Sequence, residues 1–267
     1  MGYHLTTTRS RDRDSTDHRK RASDPLCIVA HRGASHAAPE NTLAAFRRAW
    51  REGADRIEAD FRLTKDGRVV ALHDADTLRV AGVRRVVARC TYRHLRALDV
   101  GSRFGARWKG ERVPTLEQVL RGLPRGKGLH LEVKGGPGMV PVLGSVLERS
   151  GVDARRVAIH AFDPRVIAAA RRVLPAHEAV LLFHFRKHPR TGRWNATRTR
   201  VVRTALRIGA QGVGIGIGDR LDATLARMLR RAGLKLHVWT VNDRATARRV
   251  IALGAVSITT DDPGAMA

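Results

Sequence analysis

Arg56-Ile57-Glu58-Ala59-Asp60-Phe61-Arg62-Leu63-Thr64-Lys65-Asp66-Gly67-Arg68-Val69-Val70-Ala71-Leu72-His73 reads as two strands joined by a tight turn. Glu58 and Asp60 are two apart in the first strand, so both carboxylates leave one face. Asp66-Gly67 supplies the turn signal, and 68–72 is a second apolar run. Folding back about Lys65-Asp66 carries His73 towards Glu58, so this hairpin returns an imidazole to a carboxylate pair. A slip of one residue would turn His73 to the other face.

The same strand-like pattern recurs along the chain, at 26–30, 129–133, 157–161, 179–185, 212–217, 235–241 and 256–259. Helical patterns separate most of these runs, near 41–52, 139–150, 164–173, 198–209, 220–232 and 244–253. Strand and helix in alternation argue for a parallel sheet with helices outside. With the hairpin's return strand counted as an accessory, eight strands remain, the number of a (β/α)8 TIM barrel. Residues 74–114 break the alternation and read as a small insertion after the third strand-like segment, followed by a helix near 115–122. No second hydrophobic core with its own linker is visible. The expected organisation is one barrel domain over 25–267 preceded by a disordered basic tail, 1–24, with almost nothing apolar to bury.

The chain has 267 residues, and 43% of them are hydrophobic, enough for a full core. The formal charge is +25, and of the 50 basic residues only seven are lysine. Such a charge fits anionic partners, namely phosphate substrates, membrane surfaces or nucleic acid. It also fits an arginine-biased composition spread over solvated helix faces. Pairs such as Arg47-Arg48, Arg171-Arg172, Arg230-Arg231 and Arg248-Arg249 favour the second reading, with nonspecific, salt-sensitive contact to polyanions still expected. Two cysteines make no disulfide framework, and Cys27 falls in the first apolar strand as a small buried residue. Residues 1–24 contain no apolar signal core, and no run of 18 uncharged apolar residues appears, so a cytoplasmic location is expected.

The chemistry-bearing residues stand at strand ends. Glu58 and Asp60 on one inner face would repel unless a divalent cation lay between them or arginines met them. Glu132 joins them from Leu129-His130-Leu131-Glu132-Val133-Lys134, where Glu132 and Lys134 share a face. Three oxygen donors suit Mg²⁺ or Ca²⁺ better than Zn²⁺. Lys134 can hold a phosphate oxygen or simply pair with Glu132. His31 follows the first strand, with Arg32 beside it to grip phosphate oxygens and Gly33 to permit a turn. Two histidines flanking a carboxylate cluster suit proton transfer. One positioned acid or base supplies only about 10²–10⁴ in rate, so cation, Arg32 and Lys134 must stabilise the phosphoryl charge. Gly212-Val213-Gly214-Ile215-Gly216-Ile217-Gly218 does not match G-x-G-x-x-G, which excludes dinucleotide binding on that motif; its glycines leave space at a strand mouth or ease packing.

These residues sit in a series of words: His31-Arg32-Gly33, Pro39-Glu40-Asn41-Thr42, Gly53-Ala54-Asp55-x-Ile57-Glu58-x-Asp60, Thr64-Lys65-Asp66-Gly67, His73-Asp74, Glu132-x-Lys134, Trp239-Thr240-Val241-Asn242 and Thr260-Asp261-Asp262-Pro263. In that order the chain resembles the glycerophosphodiester phosphodiesterase family from about residue 27 to its end. The resemblance implies a (β/α)8 barrel, a divalent metal on Glu58, Asp60 and Glu132, and hydrolysis of glycerophosphodiesters to sn-glycerol 3-phosphate and an alcohol. His31 and His73 would share the acid and base roles, Arg32 and Lys134 would clamp phosphate, and Trp239 would wall the glycerol end. Two departures stand out: Ala161 replaces the family's serine before Phe162, and Arg79 to Arg93 lacks a Thr/Gly-rich word. The alternatives are a lysophospholipase D or related barrel phospholipase D, and a non-catalytic, polyanion-binding barrel.

Overall fold

A computed structural model describes residues 26–267, so the expected disordered tail at 1–24 lies outside the described residues. The barrel strands are β1 (Cys27–His31), β2 (Arg56–Leu63), β4 (Gly128–Val133), β5 (Val157–Ala161), β6 (Glu178–Phe183), β7 (Gly212–Gly216), β8 (Lys235–Trp239) and β9 (Ala255–Thr260). They are parallel and run in the order β1-β9-β8-β7-β6-β5-β4-β2, closed by β1 on β2. β3 (Val69–Ala71) is the hairpin return, antiparallel to β2 and outside the closed ring. The expected (β/α)8 TIM barrel with one accessory strand is therefore the observed fold.

The helices are α1 (Leu43–Arg51), α2 (Leu78–Ala81), α3 (Tyr92–Arg96), α4 (Leu116–Arg121), α5 (Met139–Ser150), α6 (Pro164–Val173), α7 (Arg198–Arg207), α8 (Ala223–Arg231), α9 (Arg244–Ala252) and α10 (Pro263–Met266). Several start later than periodicity alone suggests because a capping side chain takes the first free N–H. Thr42 accepts from Ala45, Thr115 from Gln118 and Asp222 from Leu225. The main hydrophobic core lies between sheet and helices, built from alternate strand residues such as Ile57, Ala59, Phe61, Leu129, Leu131 and Ile159. Arg47, Arg172, Arg230, Arg231, Arg248 and Arg249 are exposed on the outer helices, as a solvated arginine face requires.

One expectation needs correction, that of a buried Cys27. Residues 74–114 contribute Val87, Leu95, Val100 and Val113 to a small hydrophobic cluster that packs on Val70 and Leu72 of the hairpin. It is too small to show as a separate run in the sequence. Cys27 is only partly buried, because it is the first residue of β1 and stands at the barrel's end. The glycine-rich run has a packing role. A Cβ on Gly214 would lie 2.5 Å from Leu182, and one on Gly212 would lie 2.9 Å from His237. β7 is bare on its inner face so that larger side chains from β6 and β8 can fill the barrel.

That inner face is polar. His130, His160 and His237 meet there, with ring centroids 4.3 Å apart for the first pair and 5.8 Å for the other two. Burial depresses all three pKa values, and His237 falls to about 4. A neutral imidazole in the fold and one of pKa ~6.5 in the unfolded chain differ only below that value. The unfolded state then binds the extra proton, so stability falls as pH drops from about 6.5 towards 4. For His237 alone the loss between pH 7 and pH 5 is roughly 2 kcal/mol. Urea unfolding at the two pH values should show a drop smaller by about that amount in His237→Gln than in the wild-type chain.

Candidate active site

Register brings the site together. β1 lies on β2 with His31 opposite Glu58, and β2 lies on β4 with Asp60 opposite Glu132. In the hairpin, the Leu72 N–H donates to the Asp60 carbonyl at 2.8 Å, which sets His73 beside the carboxylate strand. His31, Arg32, Glu58, His73, Glu132, Lys134 and Trp239 all line one cavity of about 290 Å³. Asp60 lies beneath it, 1% exposed. All eight residues singled out from sequence are thus gathered at one end of the barrel.

The turn after β1 is specified closely. Arg32 takes φ 59°, a left-handed conformation uncommon for a residue with a side chain, and Gly33 follows at φ 85°. A Cβ on Gly33 would stand 2.6 Å from the Ala45 backbone, so only glycine fits there. In this conformation the Arg32 N–H donates to Glu58 Oε2 at 3.0 Å, while its guanidinium meets Asp60 at 3.1 Å and Glu40 at 3.0 Å. Strain at this turn is therefore tied to placing the Arg32 guanidinium between Asp60 and Glu40.

The carboxylates Glu58, Asp60 and Glu132 each offer an oxygen within 4.8 Å of the others. Glu58 Oε1, Asp60 Oδ1 and Glu132 Oε1 are buried and make no aligned hydrogen bond. Lys134 Nζ approaches Asp60 Oδ1 at 3.0 Å and Glu132 Oε1 at 2.5 Å, as ion-pair contacts. Burial, with the charges of Asp60 and Glu132, pushes Glu58 well above the ordinary carboxylate range. Burial raises Glu132 as well, partly offset by Lys134. Asp60 is lowered: burial opposes its charge, but Lys134, Arg32 and the Asn41 hydrogen bond outweigh burial. Three clustered carboxylates against two cations leave one negative charge over, and each offers an oxygen close enough to the others to share one ion. A hard divalent cation fits that set by both charge and donor type.

Each cavity histidine is held by a carboxylate. His31 Nδ1 lies 2.6 Å from Asp261 Oδ1, and His73 Nδ1 lies 2.7 Å from Asp74 Oδ1. Asp261 and Asp74 are both held at about 2, burial being outweighed by these histidines and by other hydrogen bonds. An ionised carboxylate on Nδ1 leaves Nε2 as the working nitrogen of each ring. Burial lowers the pKa of His73, with the nearby cations adding and Asp74 opposing.

Sequence reading missed the residues that do this holding. Asn41, at φ 57°, grips Asp60 twice, donating to its carboxylate at 2.9 Å and accepting its N–H at 3.1 Å. Asn242 donates to Asp261 at 2.7 Å. Arg62 grips the His73 carbonyl at 2.6 Å and reaches that of Lys134 at 3.3 Å. Asn41, Asn242, Asp74 and Asp261 stand in the words already quoted, which was the available signal. Phe162, Leu182, His184 and Arg186 complete the far wall. Phe162 and Trp239 meet edge to face at 5.5 Å.

The chain is similar to known proteins over most of its length. Residues 31–265 match the model of the glycerophosphoryl diester phosphodiesterase family. YhdW of Bacillus subtilis, provisionally named a glycerophosphodiester phosphodiesterase, is 34% identical over 241 residues, 89% of this chain and 95% of that one. A glycerophosphodiester phosphodiesterase of Caldanaerobacter subterraneus is 32% identical over 241 residues, 88% of this chain and 94% of that one. An Oleispira antarctica phosphodiesterase, solved with its product sn-glycerol-3-phosphate, superposes with a TM-score of 0.76, covering 89% of this chain and 94% of that one. Its sequence identity is 24%, so that likeness is one of fold.

Proposed function

This chain belongs to the glycerophosphoryl diester phosphodiesterase family, and on that premise we propose how its rim cavity works. The protein is a phosphoric diester hydrolase that acts on glycerophosphodiesters. The products are sn-glycerol 3-phosphate and an alcohol. The observation that carries the site assignment is the convergence of three buried carboxylates, each offering an oxygen within 4.8 Å of the others, beside two carboxylate-held histidines.

Glu58, Asp60 and Glu132 hold a divalent cation, Mg²⁺ or Ca²⁺. When bound it supplies charge neutralisation for the phosphoryl oxygens. Arg32 and Lys134 hold the remaining phosphate oxygens, positioned by their ion pairs to Asp60 and Glu132. His73, with its lowered pKa, is neutral near pH 7 and takes the proton from the nucleophile at Nε2. His31 then gives the leaving alkoxide its proton, and Asp261 stabilises the imidazolium that this role requires. The nucleophile is water or the neighbouring glycerol hydroxyl. Trp239 and Phe162 give the carbon skeleton an apolar wall.

The boundaries belong to the same proposal: one barrel domain over 25–267, an insertion at 74–114, and a basic extension at 1–24. So do a cytoplasmic location, supported by two free cysteines, and weak polyanion contact, supported by the charge of +25. Among the described residues no helix is long and apolar enough to cross a membrane. A panel of glycerophosphocholine, glycerophosphoethanolamine and lysophosphatidylcholine with Mg²⁺ or Ca²⁺ tests the reading. It predicts glycerol 3-phosphate from at least one of the first two. Turnover confined to the lysolipid would make the protein a lysophospholipase D, and no turnover with salt-sensitive nucleic-acid binding would make it a binding protein.

A further inference from the structure

The insertion reaches the active site through Asp74, which holds His73, and through Arg79. Arg79, on α2, donates from Nε to Asp74 Oδ2 at 2.7 Å. Its two terminal nitrogens donate to the two oxygens of Glu40, at 2.7 and 2.8 Å. Asp74 holds His73 Nδ1 through its other oxygen, and Glu40 holds Arg32 through Oε1 at 3.0 Å. A continuous chain therefore runs His73–Asp74–Arg79–Glu40–Arg32, and Arg32 ends on Asp60.

We propose that Arg79 is a positioning residue that fixes His73 and Arg32 relative to each other. The proposal rests on the reading of this cavity as the hydrolytic site. Asp74 is one-third exposed and Glu40 about one-fifth. Unheld, each carboxylate could rotate into water and release the group behind it. The planar fork of an arginine presents donors in fixed directions and binds both carboxylates at once. An ammonium is a point charge that cannot reproduce three directed bonds. His73 and Arg32 arise from different loops, after β3 and β1, and this bridge couples them across the mouth. Arg79 itself does not line the cavity; it lines a shallow groove beside it with Glu40, Val80 and Phe104.

Steady-state kinetics of the full-length protein test this. Arg79→Gln should lower kcat by roughly tenfold to a hundredfold, as expected for a misplaced His73, with a smaller rise in KM from the loosened Arg32. Arg79→Lys should not restore kcat, because it returns charge without the fork. Arg84→Gln is the control: it removes the Arg84–Asp76 ion pair from the same insertion, and kcat should stay at the wild-type value. Since Arg79→Gln could loosen the whole insertion, Glu40→Gln serves as a second variant. It keeps the Arg79–Asp74 tie, and its loss should be smaller and not additive with that of Arg79→Gln. Unchanged kcat in Arg79→Gln, full rescue by lysine, additive losses, or a rise confined to KM would each overturn the proposal. An inactive wild-type protein would instead overturn the hydrolytic reading beneath it.

Discussion

His73→Ala is expected to hydrolyse a glycerophosphodiester roughly 10²–10⁴ times more slowly than the wild-type protein, and His31→Ala to show a loss of the same order. Each ring is one of two carboxylate-held imidazoles on the cavity wall, and neither has a neighbour placed to take over its proton. His160 and His237 also line the cavity, but burial keeps both neutral and neither is held by a carboxylate as close as Asp74 or Asp261. The losses should fall on kcat, since neither histidine is needed to hold the phosphate. Removing both should cost less than the product of the single losses, because acid and base act on one transition state. Full turnover in either folded variant would sink the assignment.

The second large effect concerns the carboxylates. Glu58→Gln is expected to lose at least about 10² in kcat, the scale of removing one preorganised electrostatic group. Yet its stability without added cation should equal or exceed that of the wild-type protein. Glu58 is buried between two other carboxylates, and its ionisation is opposed by burial and by both neighbours. Removing that charge relieves repulsion in the fold while removing a ligand from the site, the usual conflict between stability and activity. Adding Mg²⁺ or Ca²⁺ should raise the wild-type melting temperature, since a ligand that binds only the folded state stabilises it, and should raise that of Glu58→Gln much less. Thermal unfolding with and without cation reads both halves of this expectation.

Much of this was legible in the chain because barrel strands repeat a period of two. Glu58 and Asp60, and Glu132 and Lys134, had to share faces once their strands were recognised. The Asp66-Gly67 turn was enough to bring His73 back beside them. The holding residues were harder to read. Asp261 is 230 positions from His31 and reaches it only because β9 closes against β1. Asn41 serves Asp60 only through its left-handed backbone, which no periodicity reveals. The glycine run was readable as a departure from a nucleotide motif, but its purpose depended on Leu182 and His237 facing it across the barrel. Arg79 stands in a segment that departs from the family pattern, yet the structure ties it to Asp74 and Glu40, which hold two residues lining the cavity. Charge pairs formed across loops have no signature in local spacing.

The central claim is that Glu58, Asp60 and Glu132 make hydrolysis depend on a divalent cation. It is tested most directly by following glycerol 3-phosphate release from glycerophosphocholine or glycerophosphoethanolamine, whichever the wild-type protein cleaves. The protein is first stripped with excess chelator, then titrated with Mg²⁺ or Ca²⁺. The account predicts that turnover disappears in chelator and returns, saturably, with one of the two ions. Turnover that persists unchanged in chelator would contradict it.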